Sequence, residues 1–525
     1  MRSLLFAIVC LLPSFAWAAA YTSTQAGNWS DTATWGGSGP PGDGDTADIV
    51  HAVTVDSAVT IGTSPNDTTT FVVDVSPGGT LAINSGGDLT CKGNLRVEPS
   101  TTTATVGLTV NGTGRLEFDG SAVGTSRIYL LHCTQYGRVT LSGTSPSNRS
   151  ATITANTGGG CWRLSQFLWD QVSLKTAVNA TFEYCGSAAS TAFLYNLKST
   201  STEAISITYC DFVNCGAMNV YAGHASGTVA FTNNNFTNGV ATSSATIGGF
   251  ASATVTVTDN SFSKQVTFNP PREVTCDGNY FGDFVNTNGT SASVGSFTSF
   301  SDNFLRQPTS GYPIFEGNLT DCCVFKDHGN LNFGLMEWRN QAASRTISGC
   351  VFEHAGSSSS GDLIIPEGYS GNTFTVTNNI LLQSSSGGAP GKLVSHWWKY
   401  STGTVTTNGT TTVTGSGTNF TANATAGNLF QLGSGAWVEI ASVDSNTQLT
   451  LDSTYAAGSG AYAIDRTTNT SIAINHNTIH TVGQIETGIG VGEDDLNSAG
   501  MITGLKSNLF WTAAGQTSGF KLVRQ

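Results

Sequence analysis

Glu337, Arg339 and Glu367 form a carboxylate pair with a cation in a chain where only 11% of residues are charged. Two carboxylates can supply the acid and the base of glycoside hydrolysis, and a guanidinium beside them can steady a developing anion or oxygen. His396, Trp397, Trp398 and Lys399 follow Glu367. Tryptophan offers a flat apolar face with one polar edge, which suits a pyranose ring. These residues describe a site for a sugar polymer. Glu337 and Glu367 would act as acid and base, and Arg339 as the stabiliser. Trp397 or Trp398 would be the stacking platform, with His396 and Lys399 beside it. A lyase would instead use a Lys, Arg or His base and a cation to neutralise a uronate. The residue types admit either chemistry.

A wider cluster surrounds this set: Lys326, Asp327, His328, Trp338, Arg345, Glu353 and His354, with His224 earlier in the chain. Aligning Cys323 with Cys350 puts Lys326 beside Glu353 and Asp327 beside His354. In a parallel sheet they would sit about 4.8 Å apart, where ion pairs are ordinary sheet stabilisers.

The elements that must hold these residues come from a repeat. From about residue 205 a short pattern recurs: Asn, Cys or Asp, any residue, then Phe or Ile. It occurs at Cys210, Asn234, Asn260, Asn279, Asp302, Cys323, Cys350, Asn378, Asn477 and Asn508, at steps of 19 to 31 residues apart from one of 99. Alternating runs such as Thr228–Thr232 and Thr254–Thr258 precede several copies, as in strands with one face buried. A regular step of this length is one coil of a solenoid. The fold expected is all-β: a right-handed parallel β-helix with an N-terminal β cap and a small inserted β-barrel. The Phe or Ile would stack in the core, and the Asn would sit at a turn, bonding along the stack in a left-handed conformation. Cys at that station reads first as a buried ladder member rather than as half of a disulfide; Cys185 fits the same series.

The boundaries expected are 1–18 signal peptide, 19–90 cap and first coils, 91–399 β-helix, 400–466 inserted barrel and 467–525 continuation of the helix. Arg2, the apolar run Leu4–Leu12 and Ala16-Trp17-Ala18 have the order of a secretory signal. The 99-residue step becomes one coil when the Thr-, Gly- and Val-rich stretch 400–466 is set aside; that stretch reads as five or six short strands. The protein is expected outside the cell or on its surface, with no membrane span once the signal is removed. A formal charge of −13 disfavours nucleic acid and anionic membranes as partners.

Gly27-Asn28-Trp29-Ser30-Asp31, Pro40-Pro41-Gly42-Asp43-Gly44-Asp45 and the Gly78-Gly79 and Gly86-Gly87 coils resemble the opening of secreted bacterial right-handed parallel β-helix proteins of the pectin-lyase-like type. The 413–418 and 437–443 segments resemble a small β-module of phage tail and bacterial surface proteins. The first resemblance implies a fold that hosts lyases, hydrolases, epimerases and adhesins alike. No Asn-Thr-Asp, Gly-His-Gly or Arg-Ile-Lys set of a polygalacturonase is present, and no dense Asp cluster of a pectate lyase. Glu493-Asp494-Asp495 reads as a solvated loop, and Asp43, Asp45 and Asp48 as part of a Gly-rich turn. No metal ligands are assigned and the cofactor is unknown, calcium being the ion the sequence leaves open. The partner expected is a polysaccharide or a cell-surface glycan, bound or cleaved. The alternatives are a non-catalytic adhesin or structural envelope protein displaying the barrel and, third, a virion tail protein.

Overall fold

The computed structural model describes residues 18–63, 70–119, 128–133, 136–155, 161–166, 174–185, 204–215, 218–221, 228–237, 243–248, 254–268, 274–282, 285–286, 297–307, 314–315, 318–326, 336–339, 345–354, 364–367, 373–383, 392–396, 399–465, 471–481, 487–491, 502–512 and 521–524. The expected signal peptide lies almost wholly outside them. The chain divides into two units, 1–187 and 188–525. Each is a parallel β-solenoid, and among the described residues no helix is long and apolar enough to cross a membrane.

The first unit winds from Ala20–Thr22, which already pairs in parallel with Thr46–Ile49. Its end is plugged by Trp29 and Trp35, which are 1% and 3% exposed with ring centroids 5.0 Å apart. Both indoles are satisfied, Trp29 Nε1 donating to the Pro41 carbonyl and Trp35 Nε1 to that of Trp29. A solenoid end otherwise exposes its core, so this plug is physically required. Asp45 accepts from the Gly42 and Ala19 amides, and Asp43 pairs with Lys92, so both carboxylates serve the turn. Gly79 and Gly87 sit where successive coils approach closely. A Cβ there would fall on the carbonyl oxygen of Ile49 or Val55, which explains the Gly-Gly pairs.

The second unit shows the alternation predicted from its sequence. Val255 and Val257 are buried in Thr254–Thr258 while the threonines between them face outward. After each such strand the chain turns a corner and enters a second one. Phe212, Phe236, Phe262 and Phe281 then stack rung on rung, with centroids 4.4, 4.7 and 5.3 Å apart and planes within 14°.

The corner is sealed by a side-chain ladder. Asn260 Oδ1 accepts from the Asn234 amide N–H at 2.9 Å and from its Nδ2 at 3.0 Å, and Asn260 repeats both bonds to Asn279. Each Nδ2 also donates to a backbone carbonyl, as Asn260 does to Phe231 O at 2.9 Å. The series runs on through Asn303, Asn379, Asn477 and Asn508. Buried amides left unpaired here would each cost about 1–3 kcal/mol.

The ladder corrects the expected register in three coils. The stations are Asn303, Cys322 and Asn379, one residue after Asp302, before Cys323 and after Asn378 respectively. In each case two adjacent residues could fill the station, and the choice is made by which neighbour is buried. Leu305 and Leu381 enter the core, while Phe304 and Ile380 remain 37% and 40% exposed. The left-handed conformation also belongs elsewhere. It falls on the residue before the station: Asn233, Asp259, Gly278, Asp302, Asp321, Gly349 and Asn378, all with φ between 52° and 69°. The ladder Asn itself is not left-handed, and its amide points along the stack.

Nine of the described cysteines are thiols outside any disulfide. Cys210, Cys322 and Cys350 occupy ladder stations; the Cys322 amide donates to Cys350 Sγ at 3.4 Å. Burial pushes the Cys133 thiol up to about 12 and Cys91 higher still. Among these nine, only Cys323 is partly exposed. Of the nine, it is expected to react first when native protein is treated with a thiol reagent and mapped by mass spectrometry. Early labelling of Cys91 or Cys350 would contradict the packing.

Residues 399–465 form a separate antiparallel, nearly closed sheet of eight strands. Its core includes Val413, Phe420, Phe430, Ile440, Leu449 and Ile464. The entering and leaving strands pair, Lys399 with Asp465, while the solenoid strand Thr373–Thr377 pairs directly with Ser471–Asn475. Eight strands replace the five or six read from sequence, because Lys399–Tyr400 and Gly458–Gly460 are too short to show a pattern.

Candidate functional site

The strands Met336–Arg339, Ile364–Glu367 and Lys392–His396 are successive members of one parallel sheet in the second unit. Arg339 stands directly opposite Glu367, and Glu337 opposite Ile365. Glu337 and Glu367 therefore occupy neighbouring rungs, offset by two positions. That places their Cα atoms about 8 Å apart, from a 4.8 Å rung and two 3.3 Å steps. Glu337 also pairs with Ile314 on the preceding rung, and His396 with Val491 two strands beyond Glu367. Lys399 does not belong to this sheet; it opens the antiparallel one. Trp397, Trp398, His224, Asp327 and His328 lie outside the described residues.

The wider cluster is re-paired by the one-residue correction at Cys322. Lys326 stands opposite His354, and Glu353 opposite Phe325. The expected Lys326–Glu353 neighbourhood is lost, because a shift of one residue in a strand exchanges its two faces.

The first unit contains a cluster that the sequence reading missed. Asp48, Asp74, Arg96 and His132 fall in one column across four neighbouring strands. Their flanking residues, among them Ile49, Val73, Val75, Leu95 and Val97, are fully buried, so the column lies on the outer face. Arg96 Nε donates to Asp74 Oδ1 at 2.8 Å, its other arm pairs with the same carboxylate, and Glu98 stands 3.9 Å away. The guanidinium lies 5.3 Å from the centre of the Phe71 ring, which in turn packs 5.7 Å from the His132 ring. The Asp74 hydrogen bond holds the Arg96 pKa above its ordinary value. His132 is shifted the other way, first by burial and then by Arg96. Asp48 Oδ1 is buried with no hydrogen-bond partner. Three carboxylates thus surround one arginine beside an imidazole kept neutral. A signal was present in the sequence: each residue sits between two apolar ones, in Ala47-Asp48-Ile49, Val73-Asp74-Val75, Leu95-Arg96-Val97 and Leu131-His132-Cys133.

His132 makes a pH prediction. Its folded pKa lies below its unfolded one, so the unfolded chain takes up the proton first as pH falls. Stability is therefore retained above the ordinary histidine value of about 6.5 and lost as pH falls below it. Melting temperatures of wild type and His132→Phe, compared between pH 8 and 5, are expected to diverge below 6.5, with the wild type falling more steeply. Parallel curves would refute it.

No family model and no curated protein matches the chain. Two solved structures resemble it. Both are a tailspike protein of E. coli bacteriophage HK620 in complex with a pentasaccharide. One is 9% identical with a TM-score of 0.29, over 79% of this chain and 87% of the other. The second is 10% identical with a TM-score of 0.24, over 79% and 86%.

Proposed function

We propose that this protein is an exported β-helix that binds polysaccharide and hydrolyses it at Glu337 and Glu367. The observation that carries the reading is the register of Arg339 opposite Glu367, with Glu337 offset by two on the neighbouring rung. Two carboxylates on adjoining rungs can flank one glycosidic bond, one protonating the leaving oxygen and the other serving water or the sugar. Arg339 is the group that would steady charge at that bond. His396, Trp397, Trp398 and Lys399 complete the proposed substrate surface, the tryptophans by stacking on rings. Export follows from the signal-like first eighteen residues and is checked by sequencing the mature N-terminus.

The second reading is a non-catalytic surface adhesin. It is favoured by the 399–465 sheet, which has its own apolar core and paired ends. The test is a polysaccharide panel, with and without calcium, read for reducing ends, for unsaturated products and for binding. Reducing ends alone support hydrolysis. Unsaturated ends replace it with a lyase, and binding without turnover moves the assignment to the adhesin.

A further inference from the structure

The two long sheets of the second unit present different outer faces. In the sheet before the ladder the matching outward column is mostly hydroxylic, with Thr256, Thr275, Ser299, Thr346 and Thr375 between Ala230 and Ala473. In the sheet after the ladder one outward column reads Tyr280, Phe304, Cys323, Val351, Ile380, Thr478 and Leu509 on seven consecutive rungs. Four of these are large and well exposed: Tyr280 39%, Phe304 37%, Ile380 40% and Leu509 62%. The column runs about 29 Å along the solenoid, at 4.8 Å per rung. Both sheets are built from the same repeat and share the same solvent, so the repeat does not require this face to be apolar. Interrupted only by Thr478, an exposed apolar strip of this kind marks a docking surface.

We infer that this face docks a second copy of the same chain, antiparallel, about a two-fold axis running along the strand direction at the Cys323 rung. The charges beside the strip select that arrangement. Arg306 and Glu353 lie in the adjoining outward column, one rung below and one rung above the Cys323–Phe325 rung. Arg306 is exposed and Glu353 half-buried. Reversing the solenoid direction about that rung brings Arg306 of each copy against Glu353 of the other. Docking with the solenoids parallel reverses the strand direction instead, carries the two charged columns to opposite sides of the strip and leaves both charges without that partner.

The same rotation sets Phe304 against Val351 of the other copy and Tyr280 against Ile380, so aromatic meets aliphatic at the centre of an isologous interface. Further out Ser261 meets Thr478, and at the rim Leu509 falls opposite Asn235. The Tyr280 and Phe304 rings are stacked on each other, 5.4 Å apart and within 11° of parallel. They are held in place before docking, so little side-chain freedom is lost on association. A sugar chain would favour the aromatic pair but has no use for Val351, Ile380 and Leu509.

The test is the mass of the purified full chain by sedimentation across a concentration series. A dimer is expected. Ile380→Lys should yield monomer with an unchanged melting profile. Arg306→Glu and Glu353→Arg should each weaken the dimer by roughly tenfold or more, and the double swap should restore it. The restoration guards against a variant that merely misfolds. A monomer at every concentration overturns the inference, as does a dimer indifferent to Ile380→Lys or a double swap that fails to restore. Glycan binding by a monomeric wild type that is lost in Tyr280→Ala would also overturn it, by giving the strip to sugar.

Discussion

Glu337→Gln with Glu367→Gln is expected to lower polysaccharide turnover by roughly 10²–10⁴-fold, the usual range for losing positioned acid–base groups. Glutamine keeps the size and much of the hydrogen bonding of glutamate but can neither donate a carboxyl proton nor act as a base. Both residues lie in a parallel sheet whose backbone pairing does not depend on their charge. The melting profile should therefore stay close to wild type while reducing-end release collapses. Binding of the intact polymer should persist, because the proposed tryptophan surface is untouched. Each single variant should lose most of the activity, since acid and base act as a unit. Turnover retained in the double variant would remove both residues from the mechanism and leave the carboxylates of Asp48, Asp74 and Glu98 as the next set to test.

Phe262→Ala is expected to destabilise the second unit by about 3–5 kcal/mol. Phe262 is fully buried and stacks between Phe236 and Phe281, at 4.7 and 5.3 Å. Truncation removes ring contacts on both sides, and neither neighbouring coil can close the gap, because the Asn234–Asn260–Asn279 ladder two residues away fixes their spacing. Denaturant unfolding should show a lowered midpoint, whereas Thr256→Ala, on the outer face of an adjacent strand, should stay within about 0.5 kcal/mol. Because each coil of a solenoid is stabilised by its neighbours, the loss should spread to the adjoining coils. Hydrogen exchange should report faster opening around Asn234–Thr237 and Tyr280–Phe281 than at distant rungs. A small, local effect would mean that the coils are less coupled than their stacking implies.

The corrections to the ladder share one cause. At Asp302-Asn303, Cys322-Cys323 and Asn378-Asn379, adjacent residues compete for one station, and both are of types found there. Residue type alone cannot separate them. The core can, because only one choice buries Leu305 or Leu381 in line with the phenylalanine on the neighbouring rung. Correcting the same one-residue error moves Glu353 from beside Lys326 to opposite Phe325.

By itself the sequence determined the class of fold, the period of the coils, the stacked Phe and Asn positions and the separateness of the Thr-rich stretch near 400–466. Those features are written locally, in strict alternation and in a repeated short pattern; fold class and period survive an error of one residue, whereas the stacked positions hold only outside the coils at Asn303, Cys322 and Asn379. What only the tertiary structure decided is which residues meet across coils. Arg339 stands opposite Glu367, Asp48, Asp74, Arg96 and His132 form a column, and Tyr280 to Leu509 form an apolar strip. These partners are one coil apart in space and about 20 to 36 residues, or near 100 across the Thr-rich stretch, apart in sequence. Coil lengths vary with every loop, so the pairing is fixed by hydrogen-bonded register and not by any constant interval along the chain.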